Sequence, residues 1–206
     1  NGNIKIANGI AISDSATVNK KVTIDKQSGT ATYSGKLTIT ASGVTVTNLA
    51  LTGNPAITLN LTNGCDDAIT ISNNAFTLAN SGDGILVETG NANSTGTFPL
   101  NIVGNTFTGG DASSNAINFR NQTTGFATFS SVNVYNGNTF NTSGYNFYRT
   151  NEKNICTYLP SVDVNETTGN TYTTTNISGF YLSPAAATIS TSTNSIITNC
   201  DAPAAF

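Results

Sequence analysis

Seven acidic residues are the side chains best suited to bind a metal ion or act as a general base. They are Asp66, Asp67, Asp83, Glu88, Asp111, Asp163 and Glu166. A calcium site needs about six to eight oxygen ligands from converging loops. Asp66, Asp67 and Asp83 flank one repeat of the sequence and can converge. The alternative, which we favour, is that Asp66 and Asp67 form a polar turn and that Asp83 precedes a strand. We therefore predict no metal ion and no cofactor.

Two opposite charges, Glu88 and Arg120, occupy equivalent positions in neighbouring repeats. A catalytic arginine here would need a bound sugar and an acidic cluster beside it. The structural alternative is an ion pair between adjacent strands, which contributes about 0.2–1 kcal/mol when exposed. We favour the ion pair, and we predict no catalytic residue.

The strongest pattern in the chain is a repeat of an alternating apolar strand followed by an asparagine turn. Its copies span residues 44–48, 69–76, 100–107, 132–140 and 162–172. The turn asparagines are Asn48, Asn74, Asn105, Asn138 and Asn170, spaced 26, 31, 33 and 32 residues apart, and the aromatic residues that follow the last four are Phe76, Phe107, Phe140 and Tyr172. Such a repeat predicts stacked coils. We expect an asparagine ladder, with amides bonded from coil to coil, and an aromatic ladder beside it.

A second alternating strand recurs between the copies of the first. Period-2 alternation predicts three inward columns and an outward set. The columns are Ile57, Ile85, Ile117, Tyr145 and Phe180; then Leu59, Val87, Phe119, Phe147 and Leu182; then Val46, Ile71, Ile102, Val134 and Val164. The outward set includes Thr58, Leu86 and Asn118. Two strands per repeat, without a helical period between them, predict an all-β solenoid.

The domain organisation that follows is a single β-solenoid over residues 1–206. We expect N-terminal coils or a cap at 1–42, core coils at 43–190 and a C-terminal tail at 191–206. Only 9% of the residues are charged, against about 25% in an ordinary soluble domain. The net charge of −3 provides no basic surface for nucleic acid. No apolar run is long enough to span a membrane. No signal peptide is visible, so we expect a mature form.

Cysteines and glycosylation sequons bear on the compartment. The cysteines are Cys65, Cys156 and Cys200. If the chain is secreted, Cys156 with Cys200 is the preferred disulfide, and the odd cysteine is a buried apolar residue or a free thiol. The sequons are at Asn60, Asn93, Asn121, Asn141, Asn165 and Asn176. They carry glycans only in a host with the glycosylation machinery.

Two stretches resemble a known family. One stretch, within residues 69–89, reads ITISNNAF followed by GDGILVE, and the other is the opening VNKKVTI followed by SGVTVTNLALTG. Both are similar to coils of the right-handed parallel β-helix superfamily that includes pectate lyases. The resemblance covers residues 15 to 190 and points to no specific member. It implies a right-handed parallel β-helix of roughly six to eight coils. The superfamily includes enzymes, adhesins, phage spikes and structural proteins, so it implies no single function.

The enzymes of that superfamily need residues that this chain has only in part. The polygalacturonase-like ones use clustered carboxylates with histidine, and the chain has no histidine. The lyases use acidic calcium ligands with arginine or lysine, and neither Arg120 nor Arg149 lies in a recognisable lyase motif. We therefore lean towards a non-catalytic protein.

Three functions remain as hypotheses. The first is an extracellular or cell-surface structural or adhesive protein that assembles end to end into a filament. Its partners would be other copies, bound through the β-helix ends, or other domains of a longer chain, because open sheet edges require a cover. The second is a polysaccharide lyase, and the third is a glycan-binding module.

Overall fold

A computed structural model describes residues 2–61, 67–89, 97–98, 100–121, 128–129 and 134–150, and the short segments 171–172, 180–181, 187–190 and 196–200. Within these residues all regular secondary structure is β-strand. No helix that is long and apolar enough to cross a membrane occurs in these segments.

Most strands belong to three parallel sheets. Sheet A contains β1 (Gly2–Ile6), β4 (Val22–Lys26), β7 (Thr45–Thr47), β10 (Ile69–Ser72), β14 (Leu100–Val103) and β18 (Val134–Asn136). Sheet B contains β2 (Ala11–Ile12), β5 (Thr32–Tyr33), β8 (Ala50–Leu51), β11 (Ala75–Leu78), β15 (Thr106–Gly109), β19 (Thr139–Thr142) and β21 (Thr171–Tyr172). Sheet C contains β3 (Ala16–Val18), β6 (Leu37–Ile39), β9 (Ile57–Leu61), β12 (Asp83–Thr89), β16 (Asn115–Asn121), β20 (Tyr145–Thr150) and β22 (Phe180–Tyr181).

Four further strands form two small sheets. The strand β13 (Thr97–Phe98) pairs in parallel with β17 (Thr128–Phe129). The strand β23 (Ala187–Ser190) pairs with β24 (Ile196–Cys200) in the antiparallel direction.

The chain enters sheets A, B and C in turn and then returns to sheet A. Each strand pairs in parallel with its counterparts before and after it, as β10 does with β7 and β14. Among the described residues the prediction of an all-β fold is confirmed, and the parallel strands of the three sheets are compatible with a parallel β-helix. The prediction of two strands per repeat is wrong, because each of the six fully described repeats, from β1–β3 to β18–β20, contributes one strand to each of sheets A, B and C. The segment predicted as the first strand and its turn forms two strands. They are separated at Asn73, where φ is +55° and the backbone turns from sheet A into sheet B.

The interior between the three sheets is filled by apolar side chains in register. Val46, Ile71 and Ile102 are successive partners in sheet A, and each is 0% exposed. Ile57 and Ile85 stack in the same way in sheet C. Burial of one such side chain stabilises the fold by about 1.5–3 kcal/mol. Because a single coil has no second layer against which to bury these residues, the stack is what forms the core.

Two predicted columns shift their register in the later coils. In sheet A, Ile102 pairs with Tyr135 and not with Val134. Tyr135 stands three residues before Asn138, as Ile102 stands three before Asn105, so the register follows the asparagine turn. In sheet C, Ile117 pairs with Phe147 and not with Tyr145. A strand repeats every two residues, so alternation alone cannot distinguish registers that differ by two. Val164 and Leu182 lie outside the described residues.

The corner between sheets B and C requires glycine, because successive coils approach each other closely there. A Cβ atom on Gly53 would lie 2.2 Å from the carbonyl oxygen of Gly35. A Cβ atom on Gly144 would lie 2.1 Å from the carbonyl oxygen of Ser114. These glycines allow the coils to stack at the strand spacing of about 4.7–4.9 Å.

Candidate functional site

Three buried asparagines form a column at the corner between sheets A and B. Asn74, Asn105 and Asn138 are each at most 2% exposed. The Nδ2 of Asn74 donates to Oδ1 of Asn105 at 3.1 Å, and the Nδ2 of Asn105 donates to Oδ1 of Asn138 at 3.1 Å. Each Nδ2 also donates, at 2.8–3.0 Å, to a backbone carbonyl of the preceding coil, and these carbonyls belong to Val46, Ile71 and Ile102. We call these three residues the asparagine column.

The amide oxygens of the column accept bonds from the backbone of the preceding coil. Asn74 N–H donates to Oδ1 of Asn105 at 3.0 Å, and Asn105 N–H donates to Oδ1 of Asn138 at 2.9 Å. Leu49 N–H donates to Oδ1 of Asn74 at 3.0 Å. The column therefore satisfies buried backbone groups as well as its own, which offsets the cost of burying three polar side chains.

Asn48 does not belong to the column, contrary to expectation. It is the counterpart of Asn73, because the neighbouring Thr47 pairs with Ser72, and its φ of +60° lies in the left-handed region that asparagine tolerates. Leu49 stands at the column position in that coil. The Nδ2 of Asn48 donates to Oδ1 of Asp25 at 3.0 Å instead. Asn170 lies outside the described residues.

Aromatic rings stack along sheet B. The centroids of Phe76 and Phe107 are 4.6 Å apart, with their planes 13° from parallel. Those of Phe107 and Phe140 are 5.1 Å apart, with a 4° angle. All three are at most 1% exposed. Tyr172 is the backbone partner of Phe140 in the next coil. Stacked rings contribute about 0.5–1.5 kcal/mol per pair beyond the area that they bury.

The acidic residues considered as metal ligands or general bases have different partners in different parts of the structure. Asp67 forms an exposed ion pair with Lys21 at 2.8 Å. Asp83 accepts bonds from Nδ2 of Asn115 at 2.7 Å and of Asn118 at 3.2 Å. In the described part of the chain, no three His, Cys, Asp or Glu side chains are grouped as metal ligands. Asp66, Asp163 and Glu166 lie outside it.

Asp111 accepts hydrogen bonds from its own turn and from the preceding coil. Its Oδ1 accepts the N–H groups of Ser81 and Ser113 at 2.9 and 3.0 Å. The bond from Ser81, followed by that from Ser113, lowers the pKa of Asp111. The carboxylate therefore joins two coils at this turn.

Glu88 and Arg120 are backbone partners on β12 and β16, as predicted. The side chain of Glu88 is only 8% exposed, whereas the sequence suggested an exposed pair. Their side-chain contact stays a prediction, since the side chain of Arg120 is outside the described part. Arg149 is the backbone partner of Phe119 on the neighbouring strand.

The outward face of sheet C is buried where the sequence predicted exposure. Thr58, Leu86 and Asn118 are register partners on β9, β12 and β16, and they are 1%, 3% and 7% exposed. Oγ1 of Thr58 and Oδ1 of Asn118 make no hydrogen bond in the structure described. Alternation predicts the side of a sheet to which a residue points, but it does not predict what covers that side.

Asp25 is bound by two residues from neighbouring coils. Lys5 forms an ion pair with it, and Asn48 donates to its other oxygen. The bond from Lys5, and next the bond from Asn48, lower the pKa of Asp25 below its usual 3.8. The carboxylate is therefore ionised at neutral pH and joins the first three strands of sheet A.

The contribution of Asp25 to stability is expected to disappear in acid. A lowered folded pKa stabilises the protein above the unfolded pKa, and this stabilisation is lost as the pH falls through the folded pKa. Asp25→Asn should lower the free energy of unfolding by up to about 1 kcal/mol near neutral pH, given the exposure of Lys5. Denaturant titrations should show this difference shrinking below about pH 4. In a Lys5→Gln background the substitution should have a smaller effect, and an undiminished effect would contradict the role of Lys5.

Only some of the cysteines and sequons lie within the described residues. Cys200 ends β24, opposite Ala187, whereas Cys65 and Cys156 lie outside the described residues. The disulfide between Cys156 and Cys200 stays a prediction. Among the sequons, Asn60 is half-buried on β9, Asn141 is exposed on β19 and Asn121 ends β16. Asn93, Asn165 and Asn176 lie outside, and glycosylation stays a prediction at all six sequons.

A large cavity opens at the N-terminal end of the stack, and the sequence patterns did not reveal it. Its volume is about 560 Å³. Residues of β1, β2 and β3 line it, among them Ile4, Ile12 and Val18. Val22 and Leu49 also line it. We call this the N-terminal cavity.

The surroundings of the N-terminal cavity are apolar and basic. Ile4, which lines it, is 52% exposed, and Ile10 nearby in sequence is 48% exposed. Lys20, Lys21 and Asp14 also line it. The sequence signal available there was the alternation of Ile4 and Ile6 in the first strand.

Comparison with known proteins finds no match: no family model, no curated protein and no solved structure is significantly similar to this chain. Its function has therefore to be inferred from its own residues and contacts.

Proposed function

We propose that this chain is a rigid, non-catalytic structural or adhesive part of an extracellular or cell-surface protein, folded as a right-handed parallel β-helix of roughly six to eight coils. The observation that carries the proposal is the asparagine column, in which Asn74, Asn105 and Asn138 bond one coil to the next. We infer that it is the described part of a longer asparagine ladder.

The asparagine column supports a mechanical role because its bonds run along the axis of the stack. The phenylalanine stack lies beside it, with Phe107 between two other rings. Bonds and stacking between coils resist the separation of coils, while the sheets resist bending. Buried polar side chains at the same corner of successive coils thus make the stack of coils more rigid.

Single-molecule force measurements test this proposal. A single copy held by its two ends and pulled along the axis should resist until coils detach in discrete steps. Asn105→Leu should lower the force needed for those steps, because it removes the bonds to both neighbouring coils. Asn80→Leu is the matched control, since Asn80 is exposed. Equal forces for the two variants would contradict a mechanical role of the column.

A polysaccharide panel tests the competing enzymatic function. We expect no cleavage of acidic or neutral polysaccharides by the purified chain. Cleavage that Arg120→Ala abolishes, with the fold intact by circular dichroism, would overturn the proposal in favour of a lyase. Binding without cleavage on a glycan array would favour an adhesive role over a purely structural one.

A further inference from the structure

We propose that Asp111 is an acid-sensitive clamp on the turn that precedes β12, so that protonation of its carboxylate releases this turn from the next coil while the sheets stay intact. The clamp lies at the corner between sheets B and C, whereas the asparagine column lies between sheets A and B. Its response to pH is additional to the structural role proposed above. Three features support it: the donors that meet on one carboxylate oxygen, a strained residue in the clamped turn, and a surrounding sequence without basic residues.

One oxygen of Asp111 binds two coils at once. Its Oδ1 accepts the N–H of Ser81, from the preceding coil, at 2.9 Å and the N–H of Ser113, from its own turn, at 3.0 Å. The hydroxyl of Ser114 lies 3.0 Å from the same oxygen and 2.9 Å from the carbonyl oxygen of Ala79. A carbonyl oxygen has two lone pairs, and hydrogen bonds to an ionised carboxylate are stronger than those to a neutral acceptor. Protonation therefore weakens the hold of Asp111 on these donors.

Ser81 is the donor that acid should release. Its φ of +53° lies in the left-handed region, which is unfavourable for a serine. Such a conformation persists where neighbouring contacts hold it in place, and Asp111 provides such a contact. The bond from Ser113 is different in kind, because it is a local turn contact between residues two apart, which aspartate side chains commonly make. Loss of the charge should therefore free the turn at Ser81 before it affects the turn of Asp111 itself.

The release should stay local, because backbone bonds on both sides of Ser81 join the same two coils. The carbonyl of Leu78 accepts the N–H of Gly110 at 3.1 Å, and the carbonyl of Gly82 accepts the N–H of Asn115 at 2.8 Å. Neither bond involves a titratable group. The segment that responds to acid is therefore the turn at residues 79–81, and the strands on either side of it remain paired.

The charges near Asp111 are few and acidic. Residues 37–119 contain no lysine or arginine, so no basic side chain from this stretch pairs with Asp111. The titratable residues at this corner of the neighbouring coils, within the described part of the chain, are Asp83 at the start of β12 and Tyr145 at the start of β20. The carboxylate of Asp83 is itself bound by two asparagine amides. Hydrogen bonds, and not an ion pair with these residues, therefore hold the Asp111 carboxylate.

The direction of the response follows from these bonds. The bond from Ser81, and next that from Ser113, hold the pKa of Asp111 below its usual 3.8. A group with a lowered folded pKa stabilises its contacts above the unfolded pKa, and this stabilisation is lost as the pH falls through the folded pKa. The clamp is therefore closed at neutral pH and opens in acid.

NMR spectroscopy of the complete chain tests the proposal. The amide shifts of Ser81 and Ser113 should titrate with one common midpoint below 3.8. The protection of the Ser81 amide from hydrogen exchange, relative to its intrinsic rate at each pH, should fall roughly tenfold through that midpoint, because a bond to a charged acceptor is stronger by about this factor. The amide of Ile71, which is buried on β10, should keep its protection. Unchanged protection at Ser81, or simultaneous loss at Ser81 and Ile71, would overturn the proposal.

Three variants identify the group that responds. Asp111→Asn keeps the shape and an acceptor oxygen without the charge, so the Ser81 amide should be weakly protected at every pH. Asp67→Asn is the matched control, because it removes an exposed carboxylate that is paired with Lys21, and it should leave the pH dependence at Ser81 as in the wild type. Ser81→Gly should lose less protection in acid at position 81, since glycine adopts the left-handed conformation without strain. A pH dependence at Ser81 that survives Asp111→Asn would show that another group is responsible and that the clamp does not exist.

Discussion

Replacing Asn105 with leucine is expected to lower the free energy of unfolding by about 2–6 kcal/mol. The substitution removes the acceptor of Asn74 N–H and the donor to the carbonyl of Ile71. Both groups belong to the buried corner, and each buried polar group left unpaired costs about 1–3 kcal/mol. Leucine has the same branching as asparagine and stands at the same corner at Leu49, but its methyl groups are larger, so the loss combines the missing hydrogen bonds with some overpacking. Denaturant-induced unfolding, followed by circular dichroism, measures the change.

The control for this substitution is Asn80→Leu, in an exposed turn, which should change stability by less than about 0.5 kcal/mol. A double variant with Asn74→Leu should cost less than the two single variants added together, because the two amides share a bond. If Asn105→Leu alone costs under about 1 kcal/mol, water replaces the lost partners and the column is not a stabilising element.

The asparagine turns show how far repeat spacing can predict a structure. The repeat spacing predicted that Asn74, Asn105 and Asn138 share one position in successive coils, and all three lie at one corner. The reason is that a solenoid repeats its backbone path once in each coil. It also assigned Asn48 to that corner, where Leu49 stands instead. Asparagine has two uses at this turn: it fills the column position, and it adopts the left-handed conformation one residue earlier, as Asn73 does. Residue type alone cannot distinguish these two uses.

The candidate site was less accessible to prediction than the fold. Alternation predicted the interior at Ile57 and Ile85, which are buried, but it also predicted an exposed Thr58, which is 1% exposed. What covers a sheet, or leaves one end of it open, depends on contacts distant in sequence, and local period carries no information about them. For the same reason the sequence contains no pattern that predicts the N-terminal cavity, apart from the isoleucine Ile4 in the first strand.

Replacing Phe107 with alanine is expected to lower the free energy of unfolding by about 4–8 kcal/mol. Phe107 is 0% exposed, and its ring lies between those of Phe76 and Phe140. Truncation to alanine leaves a cavity that costs about 3–5 kcal/mol. The loss of two stacked ring pairs adds about 0.5–1.5 kcal/mol for each pair. Equilibrium unfolding in denaturant gives the total.

Two companion substitutions separate the cavity from the stacking. Phe107→Leu keeps most of the volume, and Leu51 already occupies this column one coil before Phe76, so it should cost about 1–2 kcal/mol. Thr106→Ala, on the exposed side of the same strand, should be nearly neutral. If Phe107→Leu costs as much as Phe107→Ala, the stacked rings and not the filled volume hold these coils together. If both cost under about 1 kcal/mol, sheet B contributes little to the stack, and the cohesion between coils must come from the asparagine column and the aliphatic interior.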